Sequence, residues 1–100
     1  MNIARPVNGF HVKEHSCVRE TLAANRQICP WLMRAYESVI QHLKLAGHVS
    51  GHASTTQKHC RLYIEADPET ETNRLVVAYH VLGDTLTVLS IMILVKQTEN

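Results

Sequence analysis

The alternation of apolar and polar side chains predicts a short strand and then a helix in the first third of the chain. Phe10 to Lys13 alternates and favours the strand. Ser16 is a suitable N-cap for the helix, which we expect to end near Gln27. Apolar residues at helical spacing predict its inward stripe: Val18, Leu22, Ala24 and Ile28.

A second helix is expected after Pro30, because proline restricts the preceding residue and suits the first position of a helix. Gly47 is placed to end this helix in a left-handed cap. Residues 47–59 are small and polar without a regular period, which predicts a loop. The inward face of the second helix is predicted to comprise Leu32, Tyr36, Val39, Ile40 and Leu43.

Three strands are predicted in the last part of the chain. Residues 60–65 alternate, and we expect one set to face the helices: Cys60, Leu62 and Ile64. Residues 74–82 and 85–95 follow, joined by Gly83-Asp84, which is typical of a two-residue hairpin with positive φ at its first position. We therefore expect one α+β domain, residues 1–100, of order β-α-α-β-β-β, with a helical hairpin on a three-stranded antiparallel meander.

Composition excludes several classes of protein. The 100 residues carry a formal charge of +1, so no overall field draws the chain toward nucleic acid or an anionic membrane. Three cysteines without a C-x-x-C pair indicate neither a disulfide framework nor a cysteine zinc site. No apolar segment approaches the ~18 residues of a membrane span, and no apolar leader is evident. We expect a cytoplasmic protein with no membrane partner and no cofactor.

Basic and imidazole side chains are the candidates for chemistry. If they converge on the uncovered side of the sheet, imidazole could transfer protons while Lys and Arg stabilise charge at a phosphodiester. The candidate ribonuclease residues are His11, Lys13, His59, Arg61 and His80. The alternative is a set of solvated basic side chains and, for His80, a hydrogen-bonded strand residue.

Histidines also suggest a metal site in the 47–59 segment, formed by His48, His52 and His59. Four-residue spacing directs two imidazoles at one ion only on a helix, and Gly47 and Gly51 disfavour a helix there. Exposed loop histidines are the preferred interpretation, so no metal site is predicted.

Residues 74–91, RLVVAYHVLGDTLTVLSI, resemble the ParE/RelE toxin superfamily of bacterial type II toxin–antitoxin modules. That family has a strand ending in Tyr, a basic residue and Val, then a Gly-Asp type turn and a strand of alternating aliphatics. Residues 60–63 are similar to its second strand. Val76 stands where many members have Arg, which favours a ParE-like action on DNA gyrase over RNA cleavage.

The resemblance implies a growth-inhibiting toxin that is neutralised by a cognate antitoxin protein. Its target would be DNA gyrase, or the ribosome and mRNA if the protein is a RelE-like endoribonuclease, and whether it is an enzyme stays open. A homodimer or a hetero-oligomer with the antitoxin is compatible with the family. The alternative is a non-enzymatic inhibitor or immunity protein of phage or plasmid origin.

Overall fold

Two helices pack on one face of a five-stranded mixed sheet in a computed structural model that describes residues 9–27, 29–57, 59–66 and 73–95. The predicted α+β class is confirmed. Neither helix in the described part of the chain is long and apolar enough to cross a membrane. The elements are β1 (His11–Glu14), α1 (Ser16–Asn25), α2 (Leu32–Ala46), β2 (His52–Ala53), β3 (Cys60–Ala66), β4 (Arg74–Leu82) and β5 (Thr85–Leu94).

The sheet has the strand order β1-β5-β4-β3-β2. β1 runs parallel to β5, and the other neighbours are antiparallel. Gly83, at the turn between β4 and β5, has a φ of +60° as predicted. The predicted element order is incomplete, because β2 forms inside the expected 47–59 loop. Two residues there pair with Arg61 and Leu62, so backbone groups at the outer edge of β3 gain partners.

Local hydrogen bonds set the start of α1. His15, rather than Ser16, is the N-cap, because its Nδ1 accepts a hydrogen bond from the backbone N–H two residues later, at 3.3 Å. Two of the four residues in the predicted inward stripe are buried and Ala24 is exposed, while Ile28 lies outside the described residues.

Gly47 ends α2, but not in the predicted left-handed conformation. Its φ is −60°, and its N–H donates to the carbonyl of Leu43 at 2.8 Å. A Cβ at this position would lie 2.3 Å from Cδ1 of Leu86. The close approach of the helix to β5 therefore requires glycine here, rather than a positive φ.

The core lies between the helices and the two central strands. The inner face of β4 alternates strictly, and its residues are at most 5% exposed: Leu75, Val77, Tyr79 and Val81. The spacing changes along β5, where the buried residues are Leu86, Val88 and Ile91. A β-bulge at Leu89 causes this change, because one residue is left over between the pairs Tyr79–Val88 and Ala78–Ser90.

The side of β3 that faces the helices is the opposite of the predicted one. Tyr63 pairs with buried Val77 and packs against the core. Arg61, on the same side of the strand, donates from Nε to the carbonyl oxygen of Ser50 at 2.6 Å, which holds this face inward. The side predicted to face the helices points away from them instead: Cys60, Leu62 and Ile64.

Gly51 and Gly83 offer a matched test of backbone crowding, since their φ values are +69° and +60°. A Cβ on Gly51 would lie 2.2 Å from the carbonyl oxygen of Leu62, whereas one on Gly83 would meet nothing within 4 Å. We expect Gly83→Ala to lower the free energy of unfolding by about 1 kcal/mol, because alanine is strained in the left-handed region. Gly51→Ala should lower it by more. Urea unfolding followed by circular dichroism measures both, and equal losses would contradict the close contact with β3.

Candidate functional site

The helices leave one face of the sheet bare, which we call the open face. Strand alternation and the pairing register place side chains from all five strands on it. These residues are His11, Lys13, His52, Cys60, Leu62, Ile64, Ala66, Arg74, Val76, Ala78, His80, Leu82, Thr85, Thr87, Ser90, Met92 and Leu94.

Polar side chains lie side by side across one end of the open face, and we call them the polar row. The register aligns Lys13 with Thr87, Thr87 with His80, and His80 with Cys60. Neighbouring strands are about 4.8 Å apart, so the row spans about 15 Å. Nδ1 of His80 is inaccessible to solvent and has no hydrogen-bond partner among the described residues. The row thus combines a cation, a hydroxyl, an imidazole and a thiol.

Apolar side chains cover the other end of the open face. Ile64, Val76 and Met92 are aligned across β3, β4 and β5. With their neighbours they form what we call the aliphatic cluster: Leu62, Ile64, Val76, Met92 and Leu94. The four largest of these side chains are 43% to 59% exposed. Single exposed leucines are ordinary, but a contiguous apolar patch on a small protein is typical of a binding surface.

Charges are segregated between the two sides of the sheet. Within the described residues, the open face carries Lys13 and Arg74 and no carboxylate. The strand carboxylates Glu14 and Glu65 lie on the helix side, because they pair with buried residues of the neighbouring strands. The formal charge of +1 therefore does not describe the open face, whose described residues carry no carboxylate.

The predicted ribonuclease residues are divided between the two sides of the sheet. His11 and Lys13 share the open face with His80. His59 is exposed just before β3, with a φ of +66°, and its carbonyl accepts from the N–H of Val81 at 3.4 Å. Arg61 lies on the helix side, so the sheet separates its guanidinium from the imidazole of His80.

Arg61 instead holds the end of α2 together with Tyr79. Its Nε and Nη2 donate to the carbonyl oxygens of Ser50 and Gly51, at 2.6 Å and 3.3 Å. The hydroxyl of Tyr79 lies 2.8 Å from the carbonyl oxygens of both Gly47 and Ser50. Burial raises the pKa of Tyr79, and the nearby guanidinium only partly offsets the shift. Both side chains donate to carbonyl groups of the turn that follows the helix.

A second polar contact, which the sequence pattern did not reveal, joins Glu14 to Arg19 and Tyr36. Arg19 donates to Oε1 of Glu14 from Nε at 3.0 Å and from Nη2 at 2.9 Å, and the Tyr36 hydroxyl donates to Oε2. Burial raises the pKa of Tyr36, and the adjacent carboxylate raises it further. Tyr36 belongs to the predicted apolar stripe of its helix, and the one sequence signal that could indicate its partner is the alternation of β1, which turns Glu14 inward.

A groove of about 290 Å³ opens beside this contact, between β1 and the helices. Both oxygens of Glu14 already accept hydrogen bonds, and the Tyr36 hydroxyl is the donor to one of them. The contact therefore ties β1 to α1 and α2, and we assign it a structural role. The groove is lined by Val12, Glu14, Arg19, Met33, Tyr36, Glu37, Ile40 and Gln41.

The loop histidines do not converge on a metal site. In the part of the chain that is described, no group of three His, Cys, Asp or Glu side chains could hold a metal ion. His48 lies against Phe10, with ring centroids 5.4 Å apart, whereas His52 is on β2 and His59 just before β3. The three imidazoles thus occupy different surroundings.

No protein-family model matches the chain, and no curated protein or solved structure is significantly similar to it. The resemblance of residues 74–91 to the ParE/RelE superfamily therefore stays a prediction.

Tyr36 should make stability depend on alkaline pH. Its pKa is raised in the folded protein, so above pH 10 the unfolded chain releases a proton that folded Tyr36 retains, and stability falls as the pH rises. This contribution amounts to about 1.4 kcal/mol by pH 11. Tyr36→Phe removes it, and we expect the free-energy advantage of the wild type over the variant to narrow by that amount between pH 8 and 11.

Urea unfolding of both proteins at each pH measures the difference, in which titration of the lysines and the other tyrosines cancels. A difference that stays constant across this range would show that folded Tyr36 ionises normally.

Proposed function

We propose that this protein is the toxin of a type II toxin–antitoxin pair, similar to the ParE/RelE superfamily, and that it inhibits growth by binding a cellular protein through the open face. One observation carries the proposal: an exposed aliphatic cluster adjoins the cation Arg74 on a face without a carboxylate among the described residues. Such a face fits a protein segment with aliphatic and acidic side chains, because it combines apolar burial with charge complementarity.

The open face suits protein better than RNA. Bases of single-stranded RNA stack on aromatic rings, and apart from imidazoles the described residues place none there, since Tyr63 and Tyr79 face the helices. The two Lys and Arg side chains that the described residues place there, Lys13 and Arg74, lie near opposite ends of the face, roughly 20 Å apart along the strands. Arg61 is held by carbonyl groups on the other side. These features favour DNA gyrase over mRNA as the target that the resemblance implies.

A cognate antitoxin would neutralise the toxin by covering the aliphatic cluster, so that the cellular target is excluded. Its covering segment should itself carry aliphatic and acidic residues, since both partners compete for one surface.

A non-enzymatic inhibitor or immunity protein is the second candidate, because the same aliphatic cluster would serve it equally well. The two functions differ in their effect on a host cell. A toxin arrests growth when it is produced without its antitoxin, whereas an inhibitor or immunity protein binds a partner and leaves growth unchanged.

Induction of the protein alone in bacteria should arrest growth, and Met92→Glu should relieve the arrest. Met92 is 59% exposed in the aliphatic cluster, so a carboxylate there disturbs binding and leaves the core unchanged. Leu45→Glu is the matched control, since Leu45 is 52% exposed on α2, away from the open face, and should remain toxic. Growth curves provide the measurement, with circular dichroism of each purified protein to establish folding.

Two results would oppose the toxin proposal. Unimpaired growth with soluble, folded wild-type protein would leave the inhibitor as the better explanation, and equal relief by both substitutions would remove the role of the open face. Gyrase-dependent DNA breaks during arrest would support the protein target. Cleaved mRNA that disappears in a His11→Ala/His80→Ala variant would instead support an endoribonuclease.

A further inference from the structure

Cys60 and His80 face each other directly across β3 and β4 on the open face. The N–H of Val81 donates to the carbonyl of His59 at 3.4 Å, and the carbonyl of Cys60 accepts from Ser54 at 2.8 Å. The backbone groups of Cys60 therefore point away from β4, so Cys60 and His80 form a pair without mutual backbone hydrogen bonds. In such pairs the Cα atoms are about 4.5 Å apart and the side chains are at their closest.

The imidazole of His80 has an unused nitrogen in this position. Nδ1 is inaccessible to solvent and lacks a hydrogen-bond partner within the described residues. Thr87 borders the ring on the β5 side and Cys60 on the β3 side. A change in side-chain torsion of Cys60 is enough to bring its thiol to this nitrogen, because the two Cβ atoms are only about 5 Å apart.

The other two cysteines have different surroundings. Sγ of Cys17 donates to the carbonyl of Leu89 at 3.1 Å, and Cys29 is buried with 6% of its surface exposed. Cys60 is half-buried on a face that α1 and α2 do not cover. It is thus the cysteine that combines access with a neighbouring imidazole.

His80 is the neighbour of Cys60 that can act on its thiol. Within the described residues, it lies directly opposite Cys60 on β4, whereas Lys13 is about 15 Å away at the other end of the polar row. The described residues place no carboxylate on the open face that would repel an anion at Cys60. A thiolate is the nucleophilic form of cysteine, and cationic or imidazole neighbours stabilise it.

We propose that Cys60 is a thiol–disulfide exchange site that reacts with low-molecular-weight disulfides, with His80 as the base. The Cys60 thiol transfers its proton to Nδ1 of His80, and the thiolate attacks one sulfur of the disulfide. A new sulfur–sulfur bond forms to Cys60 as the original one breaks, and the imidazolium returns its proton to the departing thiolate. The products are a mixed disulfide on Cys60 and one free small thiol, so no further oxidant is required.

The adduct would occupy the polar row beside the aliphatic cluster. If the open face binds the target as proposed above, modification of Cys60 places a bulky group on that surface and weakens the complex. This consequence depends on the proposed function, whereas the exchange reaction itself does not.

The reaction of purified protein with 4,4′-dithiodipyridine, an uncharged disulfide, tests the proposal through the absorbance of the released thiopyridone. We expect one fast-reacting thiol, identified as Cys60 by mass spectrometry and lost in Cys60→Ser. His80→Ala should slow this phase about tenfold or more, since a positioned base contributes at least that much to proton transfer. His52→Ala, on the same face but opposite Leu62, should leave the rate unchanged.

Added imidazole should restore part of the rate in His80→Ala without accelerating the wild type, which a merely structural role of His80 would not produce. His80→Gln gives the same comparison if the alanine variant does not fold. Equal rates in wild type and folded His80 variants, or a fast phase carried by Cys17 or Cys29, would overturn the proposal. The growth assay plays no part in these measurements, so each proposal can fail separately.

Discussion

The structure depends on how the end of α2 is held against the sheet. Tyr79 and Arg61 donate hydrogen bonds to carbonyl groups of the turn that follows α2, those of Gly47, Ser50 and Gly51. The hydrogen bond to Gly47 is buried, and leaving that carbonyl unpaired would cost about 1–3 kcal/mol. Because Gly47 also packs directly on Leu86, the helix, β4 and β3 are fixed to one another at this point.

This anchor determines the chemistry of the open face. Successive side chains of a strand alternate, so the inward position of Arg61 forces Cys60 and Leu62 outward. A cation that would otherwise join the polar row is thereby withdrawn, while aliphatic side chains that would otherwise extend the core are exposed. This is the surface for which we propose a protein partner rather than a phosphodiester.

The proposed binding of a protein and the proposed thiol–disulfide exchange use different halves of the open face. The aliphatic cluster supplies apolar contact area, whereas the polar row supplies a thiol beside an imidazole. Their proximity follows from the short length of the strands, since β3 has only seven residues. A partner that covers the aliphatic cluster would therefore also approach Cys60, and an adduct on Cys60 would be close to that partner.

The opposite edge of the sheet is secured by Glu14, Arg19 and Tyr36. This contact joins β1 to both helices, and its components come from three separate elements. It stabilises the parallel pairing of β1 beside β5 without contributing to the open face. Stability and surface chemistry are thus largely carried by different residues, which is why exposed positions such as Met92 can be changed to test function.

Local pattern was sufficient for both helices and for four of the five strands. Proline at position 30, the apolar period of α2 and the Gly83-Asp84 turn identified the helices and the β4–β5 hairpin, because each acts within a few residues of chain. Alternation in β4 also puts Val77, Tyr79 and Val81 on one side of the strand, and packing against the helices decides that this side is buried. The same pattern placed His80 on the face opposite Tyr79, as the structure has it.

Tertiary structure alone decided which side of β3 is buried, whether β2 forms and which side chains lie on the open face. Alternation in β3 shows which residues share a side but not which side is buried, since Leu62 and Ile64 match a core as well as Tyr63 does. Hydrogen bonds from Arg61 to carbonyl groups eleven and ten residues away in sequence determine that its side of β3 faces the helices. Pairings of Cys60 with His80 and of Glu14 with Tyr36 likewise arise only when distant segments meet, because no local period encodes them.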